Sequence, residues 1–178
     1  MKITKTPFEG LMIIEPRLFE DSRGYFFESY NKAGSGIEVE FLQDNQSWSK
    51  KNVIRGLHFQ ASPYAQTKLV RTVTGRILDV VVDLRQSQPS FKKTFTIELS
   101  DENKLQLLIP RGFAHGFSVL SESAEVHYKC DQYYYPEYER GILYCDSELR
   151  IDWGVKEAVV SAKDNALPTL AQSSGFFD

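Results

Sequence analysis

The chain has 178 residues, 42% of them apolar and 25% charged, with a formal net charge of −3 at pH 7. That is the composition of one globular domain with a sizeable core, and not that of a disordered chain. No Lys/Arg block lies along any one segment, so phosphate neutralisation along a nucleic acid has no footing, although a few basic residues can still gather in a cleft around a small anion.

In chain order, the first apolar run covers only residues 11–14 before Glu15 and Pro16 break it. This is too short for a signal peptide or a membrane span, and a soluble, cytoplasmic protein is expected. Residues 20–24 form a turn cluster, and residues 25–30 resume as an aromatic strand. Residues 31–36 are a polar loop. Ile37, Val39 and Phe41 alternate with Glu38 and Glu40, which predicts a half-buried strand over 37–44. Gln43, Asn45 and Ser47 then fall on one polar face of residues 42–48, toward solvent or a wet pocket.

Strands are predicted over 53–60 and 67–73, around a loop at 61–65 that contains Pro63. The Thr74-Gly75 turn leads into residues 76–85, the most β-branched run of the chain. Further strands are predicted over 94–99, 105–109, 112–120 and 124–130, followed by a polar connection at 136–141. Short helical pieces are expected around 156–159 and 164–171. About ten short strands with regular turn signals, no long helical periodicity, no repeat and no linker predict a single all-β domain, a jelly roll or barrel of antiparallel strands. The two cysteines, Cys130 and Cys145, match no disulfide framework or zinc spacing and are expected to be free thiols.

The stretch 53–68, VIRGLHFQASPYAQTK, concentrates the chemistry. His58 alone would be a core histidine. Arg55 three residues before it and Lys68 ten residues after it change that, because such groups in an apolar core repel each other unless an anion or a developing oxyanion binds there. Arg55 and His58 are an odd number of positions apart, which strict alternation places on opposite faces. An irregularity at Gly56 is therefore predicted. His115, bracketed by Gly112 and Gly116 and preceded by Arg111, is a second candidate. Glu125, His127 and Lys129 share the outward face of their strand, and Tyr128 points inward with Val126 and Cys130. His58-Phe59-Gln60 offers one imidazole and one amide, a poor set of ligands for a divalent ion, and no catalytic metal is expected. Arg23 and Glu28, taken alone, are surface charges.

The motifs DSRGYFFE (21–28), QDNQSWS (43–49), VIRGLHFQ (53–60), AQTKLV (65–70), IPRGFAHGF (109–117), YKCDQYY (128–134) and SAKD (161–164) run through nearly the whole chain. In this order they resemble the dTDP-4-dehydrorhamnose 3,5-epimerase family, of the cupin-type jelly-roll class. The resemblance implies cofactor-free proton transfer at C3 and C5 of a dTDP-4-keto-6-deoxyhexose. It implies His58 as base, Asp164 as the partner orienting it, Lys68 at the enolate oxygen, and Tyr128 as acid on the opposite face. It implies that Arg23, Glu28, Gln43, Asn45, Arg55 and His115 hold nucleotide and sugar, that Tyr134 stacks on thymine, and that Glu139 and Lys163 close the site. It also implies a homodimer with exchanged N-terminal strands, in which Arg23 and Glu28 reach the neighbouring subunit's site. No nucleic acid or membrane partner is expected. The rival readings are a 3-epimerase or ketoisomerase on a related nucleotide sugar, and a non-catalytic sugar-binding jelly roll.

Overall fold

The alternation in the sequence becomes two facing sheets in a computed structural model that describes residues 1–34 and 36–178. Ser35, within the loop expected over 31–36, lies outside the described residues. One sheet is formed by β1 (Lys2–Lys5), β2 (Met12–Glu15), β5 (Gln43–Lys50), β7 (Lys68–Thr74), β10 (Gln106–Ile109) and β12 (Ser123–Cys130), in the order β1-β2-β10-β7-β12-β5. The other is formed by β6 (Val53–Gln60), β8 (Arg76–Asp83), β9 (Thr94–Ser100), β11 (Phe113–Val119) and β13 (Glu139–Gly141), in the order β13-β6-β11-β8-β9, with β14 (Val159–Val160) joined parallel to β6. A detached hairpin pairs β3 (Phe19–Asp21) with β4 (Gly24–Phe26). This is the expected jelly roll.

Val70, Leu107, Ala124 and Val126 of the first sheet pack against Ile77, Val81, Phe117 and Val119 of the second. Each side chain of leucine, isoleucine or phenylalanine size stabilises the fold by roughly 1.5–3 kcal/mol when fully buried. The opposite face of the second sheet is covered too: Ile54, Leu57, Phe59, Val80, Val82 and Ala114 lie under Ile142, Trp153 and Leu170. Burial on both faces explains the nearly unbroken apolar run along β8.

Three sequence expectations change. Residues 37–42 are not a strand; β5 begins at Gln43. Ile37, Val39 and Phe41 instead press onto Ile14, Leu69 and Leu108 on the outer face of the first sheet. An extended segment laid across a sheet buries alternate residues as a strand does, without the ladder, so its period misled. The 20–24 turn and the 25–30 strand contract into the β3–β4 hairpin, and Phe27 to Tyr30 lie outside it. Residues 156–159 are not helical. Val159 and Val160 are β14, and the helix expected over 164–171 shrinks to α1 (Ala162–Asn165), the one α-helix among the described residues, with 166–171 outside any helix. Its start is fixed by Ser161, whose Oγ accepts the Asp164 N–H at 3.0 Å. The connection at 136–141 holds a 3-10 turn, Pro136–Tyr138, followed by β13. Cys130 is buried, Cys145 is exposed, and both thiols are free. Among the described residues no helix is long and apolar enough to cross a membrane.

Candidate active site

The chain is irregular at Gly56, as the parity of Arg55 and His58 requires. Gly56 has φ +109°, the Gly56–Leu57 peptide is cis, and the pairing of β11 with β6 shifts register between His115 and Phe117. The phase of β6 is reset there. Ile54 points to the outer core, Arg55 inward, then Leu57 outward again and His58 inward. The strands also approach closely. A Cβ on Gly56 would lie 2.7 Å from Gly116 Cα and 2.7 Å from the His115 carbonyl oxygen. Glycine is needed at that contact for space as well as for φ.

His58 is held by Asp164, 106 residues away in sequence. Its Nε2 lies 2.8 Å from Asp164 Oδ1, and the other carboxylate oxygen accepts the Gly56 N–H at 3.2 Å. The cap at Ser161 and the pairing of β14 along β6 bring this carboxylate into place, 4% exposed. With Nε2–H donated to a carboxylate, the tautomer is assigned and Nδ1 is the nitrogen left to accept a proton.

The cleft between the sheets has two lobes. The smaller, about 290 Å³, is lined by Gln43, Asn45, Gln60, Cys130, Tyr134 and Glu139 among others. The larger, about 500 Å³, is lined by Ser47, Arg55, His115, Ser161, Lys163 and Asp164 among others. Three side chains border both lobes: His58, Lys68 and Tyr128. Lys68 Nζ lies 5.8 Å from the centre of the Tyr128 ring. His115 stands directly across the β6–β11 pair from His58, with its Nε2 2.8 Å from Asp79 Oδ2. Arg55 is tied at the rim to Ser49 Oγ (2.9 Å) and the Trp48 carbonyl (3.3 Å). Glu139 Oε2 accepts from Tyr134 Oη and Lys163 Nζ, both at 2.6 Å, and so links the two walls.

Burial tunes these groups. It pushes the His58 imidazole below its usual range, against the upward pull of Asp164, so the ring is neutral at pH 7. It pushes the Lys68 ammonium down, against Cys130, Asp79 and Glu139. It pushes the Tyr128 phenol up, which keeps its proton in place at neutral pH. Glu139 is driven up by burial, but hydrogen bonds from Lys163 and Tyr134 outweigh this and hold it below the ordinary carboxylate value. A neutral imidazole, a buried lysine amine and a protonated phenol therefore meet at the waist between the lobes.

A family profile described as dTDP-4-dehydrorhamnose 3,5-epimerase matches residues 5–172. The Shigella flexneri protein named dTDP-4-dehydrorhamnose 3,5-epimerase is 50% identical over 168 residues, covering 92% of this chain and 93% of its own length. The chain belongs to the dTDP-4-dehydrorhamnose 3,5-epimerase family. Among solved structures, the Bacillus anthracis epimerase with TDP and pyrophosphate bound superimposes with a TM-score of 0.92 at 47% identity, over 95% of this chain and 99% of that one. The Legionella pneumophila 3,5-epimerase in complex with dTDP-4-keto-L-rhamnose gives 0.91 at 46%, over 97% and 94%. The cupin-type jelly roll and the epimerase class are thus this chain's own.

Eleven of the epimerase's thirteen expected site residues line or border this one cleft: His58, Lys68, Tyr128, Asp164, Gln43, Asn45, Arg55, His115, Tyr134, Glu139 and Lys163. Two do not. Arg23 is 88% exposed along its side chain and pairs with Asp21 at 2.6 Å on the β3–β4 hairpin. Glu28 accepts from Asn31 at 3.0 Å. Neither lines the cleft of its own chain, so the resemblance does not place them in a site built by one chain alone. His127, expected at the surface, does face outward, but its ring is only 23% exposed, 3.9 Å from Asp44.

Asp79 was missed. It is fully buried behind His115, and its Oδ1 has no hydrogen-bond partner. The signal was present, since a carboxylate interrupts the apolar run ILDVVVDL. Gln60, Gln66 and Cys130 were also passed over as cleft residues. Burial drives the Cys130 thiol up to about 11, so it lines the wall as a neutral, small apolar group. Among the described residues no group of three or more His, Cys, Asp or Glu side chains is arranged to hold a metal ion.

Proposed function

We propose that this epimerase inverts C3 and C5 of dTDP-4-dehydro-6-deoxy-D-glucose to give dTDP-4-dehydro-L-rhamnose, by proton transfer without a cofactor. Both carbons flank the C4 ketone, so loss of either α-proton generates negative charge on the same oxygen. One cation serves both steps, and Lys68 fills that role. His58 removes the proton through Nδ1, with Asp164 holding the ring and stabilising the imidazolium. Tyr128 returns a proton to the opposite face of the flat enolate, which inverts the centre. His115, backed by Asp79, borders the sugar. Arg55, Gln43 and Asn45 hold the nucleotide, Tyr134 stacks on thymine, and Glu139 with Lys163 closes the mouth.

The observation that carries this reading is the waist of the cleft. His58, Lys68 and Tyr128 are the side chains common to both lobes, and a substrate threaded through them would place its reacting carbons among a base, a cation and an acid. The complexes of the Bacillus and Legionella proteins with TDP and with a dTDP-4-keto sugar support a nucleotide-sugar substrate here.

We also propose a homodimer in which the β3–β4 region carries Arg23 and Glu28 to the partner's cleft. In the single chain this hairpin leaves Phe19, Tyr25 and Phe26 51%, 55% and 65% exposed, a cluster of aromatic surface that favours a partner.

Incubation with the 4-keto sugar in D2O tests the reaction. Deuterium is expected at both C3 and C5 of the product. Incorporation at C3 alone would replace this reading by a 3-epimerase.

A further inference from the structure

The wall of the smaller lobe contains an amide with little left to offer a ligand. Gln60 is 4% exposed and lines the cleft. Its Nε2 donates to the Tyr64 carbonyl at 2.7 Å and the Tyr133 carbonyl at 3.0 Å, and its Oε1 accepts the Tyr135 N–H at 2.6 Å. Both amide hydrogens and one acceptor site are used. The bonds to Tyr133 and Tyr135 straddle Tyr134.

Two more glutamines act on the same loop. Gln66 Nε2 donates to the Gln132 carbonyl at 2.9 Å, and Gln43 Oε1 accepts the N–H of Tyr134 itself at 3.1 Å. The rings of Tyr64 and Tyr135 stack with centres 4.0 Å apart, and Tyr138 meets Tyr64 edge-on at 4.5 Å. Residues 132–135 belong to no strand or helix. Glutamine side chains take the place of a ladder there. Without them, a loop bearing a ring that is 48% exposed would sample many positions, and each binding event would have to order it again.

We propose that Gln60, assisted by Gln66, is a positioning residue that acts through the 132–135 backbone to hold the Tyr134 ring in place for a nucleobase. This rests on the reading of Tyr134 as the base-stacking residue. A base remote from the reacting carbons is gripped equally in ground and transition states, so loss of the grip raises KM and leaves kcat. Loss of general packing would instead lower kcat or the active fraction.

Steady-state kinetics with the dTDP-4-keto sugar on Gln60→Leu, Tyr134→Ala and the double variant test this. Tyr134→Ala is expected to raise KM about tenfold, the usual scale of one base–aromatic stack. Gln60→Leu raises KM by a similar factor with kcat within about twofold, and the double variant is no worse than the weaker single, because both changes remove one grip. Gln66 is less buried; Gln66→Leu gives a smaller rise of the same kind, and it replaces Gln60→Leu in the cycle if that protein does not fold. Multiplicative effects in the double variant, or a fall in kcat at unchanged KM, would overturn the role of Gln60 and leave the stacking of Tyr134 standing. An unchanged KM in Tyr134→Ala would overturn the stacking itself, and the role of Gln60 with it.

Discussion

Burial holds the His58 ring below its ordinary value of 6.5, and Asp164 pulls it back up. The neutral form is the base. The acid limb of kcat/KM is therefore expected below pH 6.5, where protonation of His58 removes it. Asp164→Asn changes the tautomer as well as the charge. The new side chain must keep an oxygen on the Gly56 N–H, which turns its NH2 toward His58 Nε2. Nε2 then has to accept, Nδ1 carries the hydrogen, and the base is lost. kcat should fall by roughly 10²–10⁴ while the protein stays folded, and any residual acid limb should lie lower still, because the upward pull of the carboxylate is gone. A pH–rate profile of the wild type beside the variant checks both the drop and its direction.

At the scale of elements, β6 and β11 carry the site because two glycines let them approach. A Cβ on Gly116 would lie 2.6 Å from the Arg55 carbonyl oxygen, which is backbone and cannot swing aside. Gly116→Ala is expected to cost about 1–3 kcal/mol in urea unfolding and to lower kcat, since His58 and His115 lie on the strands being forced apart. The sequence announced this element well. The odd spacing of Arg55 and His58 required a break, and Gly56 was the residue able to supply it. Inward Tyr128 was likewise legible from alternation, which also put Gln43, Asn45 and Ser47 on one face but left open whether that face met solvent or a pocket. Alternation could not tell a strand from a strap, which is why residues 37–42 misled. Nor could it reveal bonds that close over long sequence distances. The Asp164–His58 partnership came from motif resemblance rather than spacing, and Gln60 was read only as a poor metal ligand because its three backbone partners lie 4, 73 and 75 positions away.

At the scale of the whole molecule, Arg23 and Glu28 lie on the hairpin and the segment after it and do not line the cleft of their own chain, and the proposed exchange between subunits would give them a site to complete. Complementation tests this. His58→Ala and Arg23→Ala are each expected to be nearly inactive. Mixed one to one, unfolded and refolded together, they should recover about a quarter of wild-type activity, because half the dimers are mixed and each mixed dimer has one intact site. No recovery would mean that Arg23 serves its own chain, and an Arg23→Ala protein that keeps full activity would mean that it serves no site.

The division of labour between His58 and Tyr128 is tested most directly by Tyr128→Phe in D2O, with substrate and product followed separately by NMR. Burial keeps the Tyr128 proton in place for delivery, and phenylalanine has none to give. Epimerised product should form roughly 10²–10⁴-fold more slowly, while His58 still exchanges deuterium into recovered substrate of unchanged configuration. Product formation at the wild-type rate, with deuterium at both carbons, would contradict a proton delivered by Tyr128 from the opposite face.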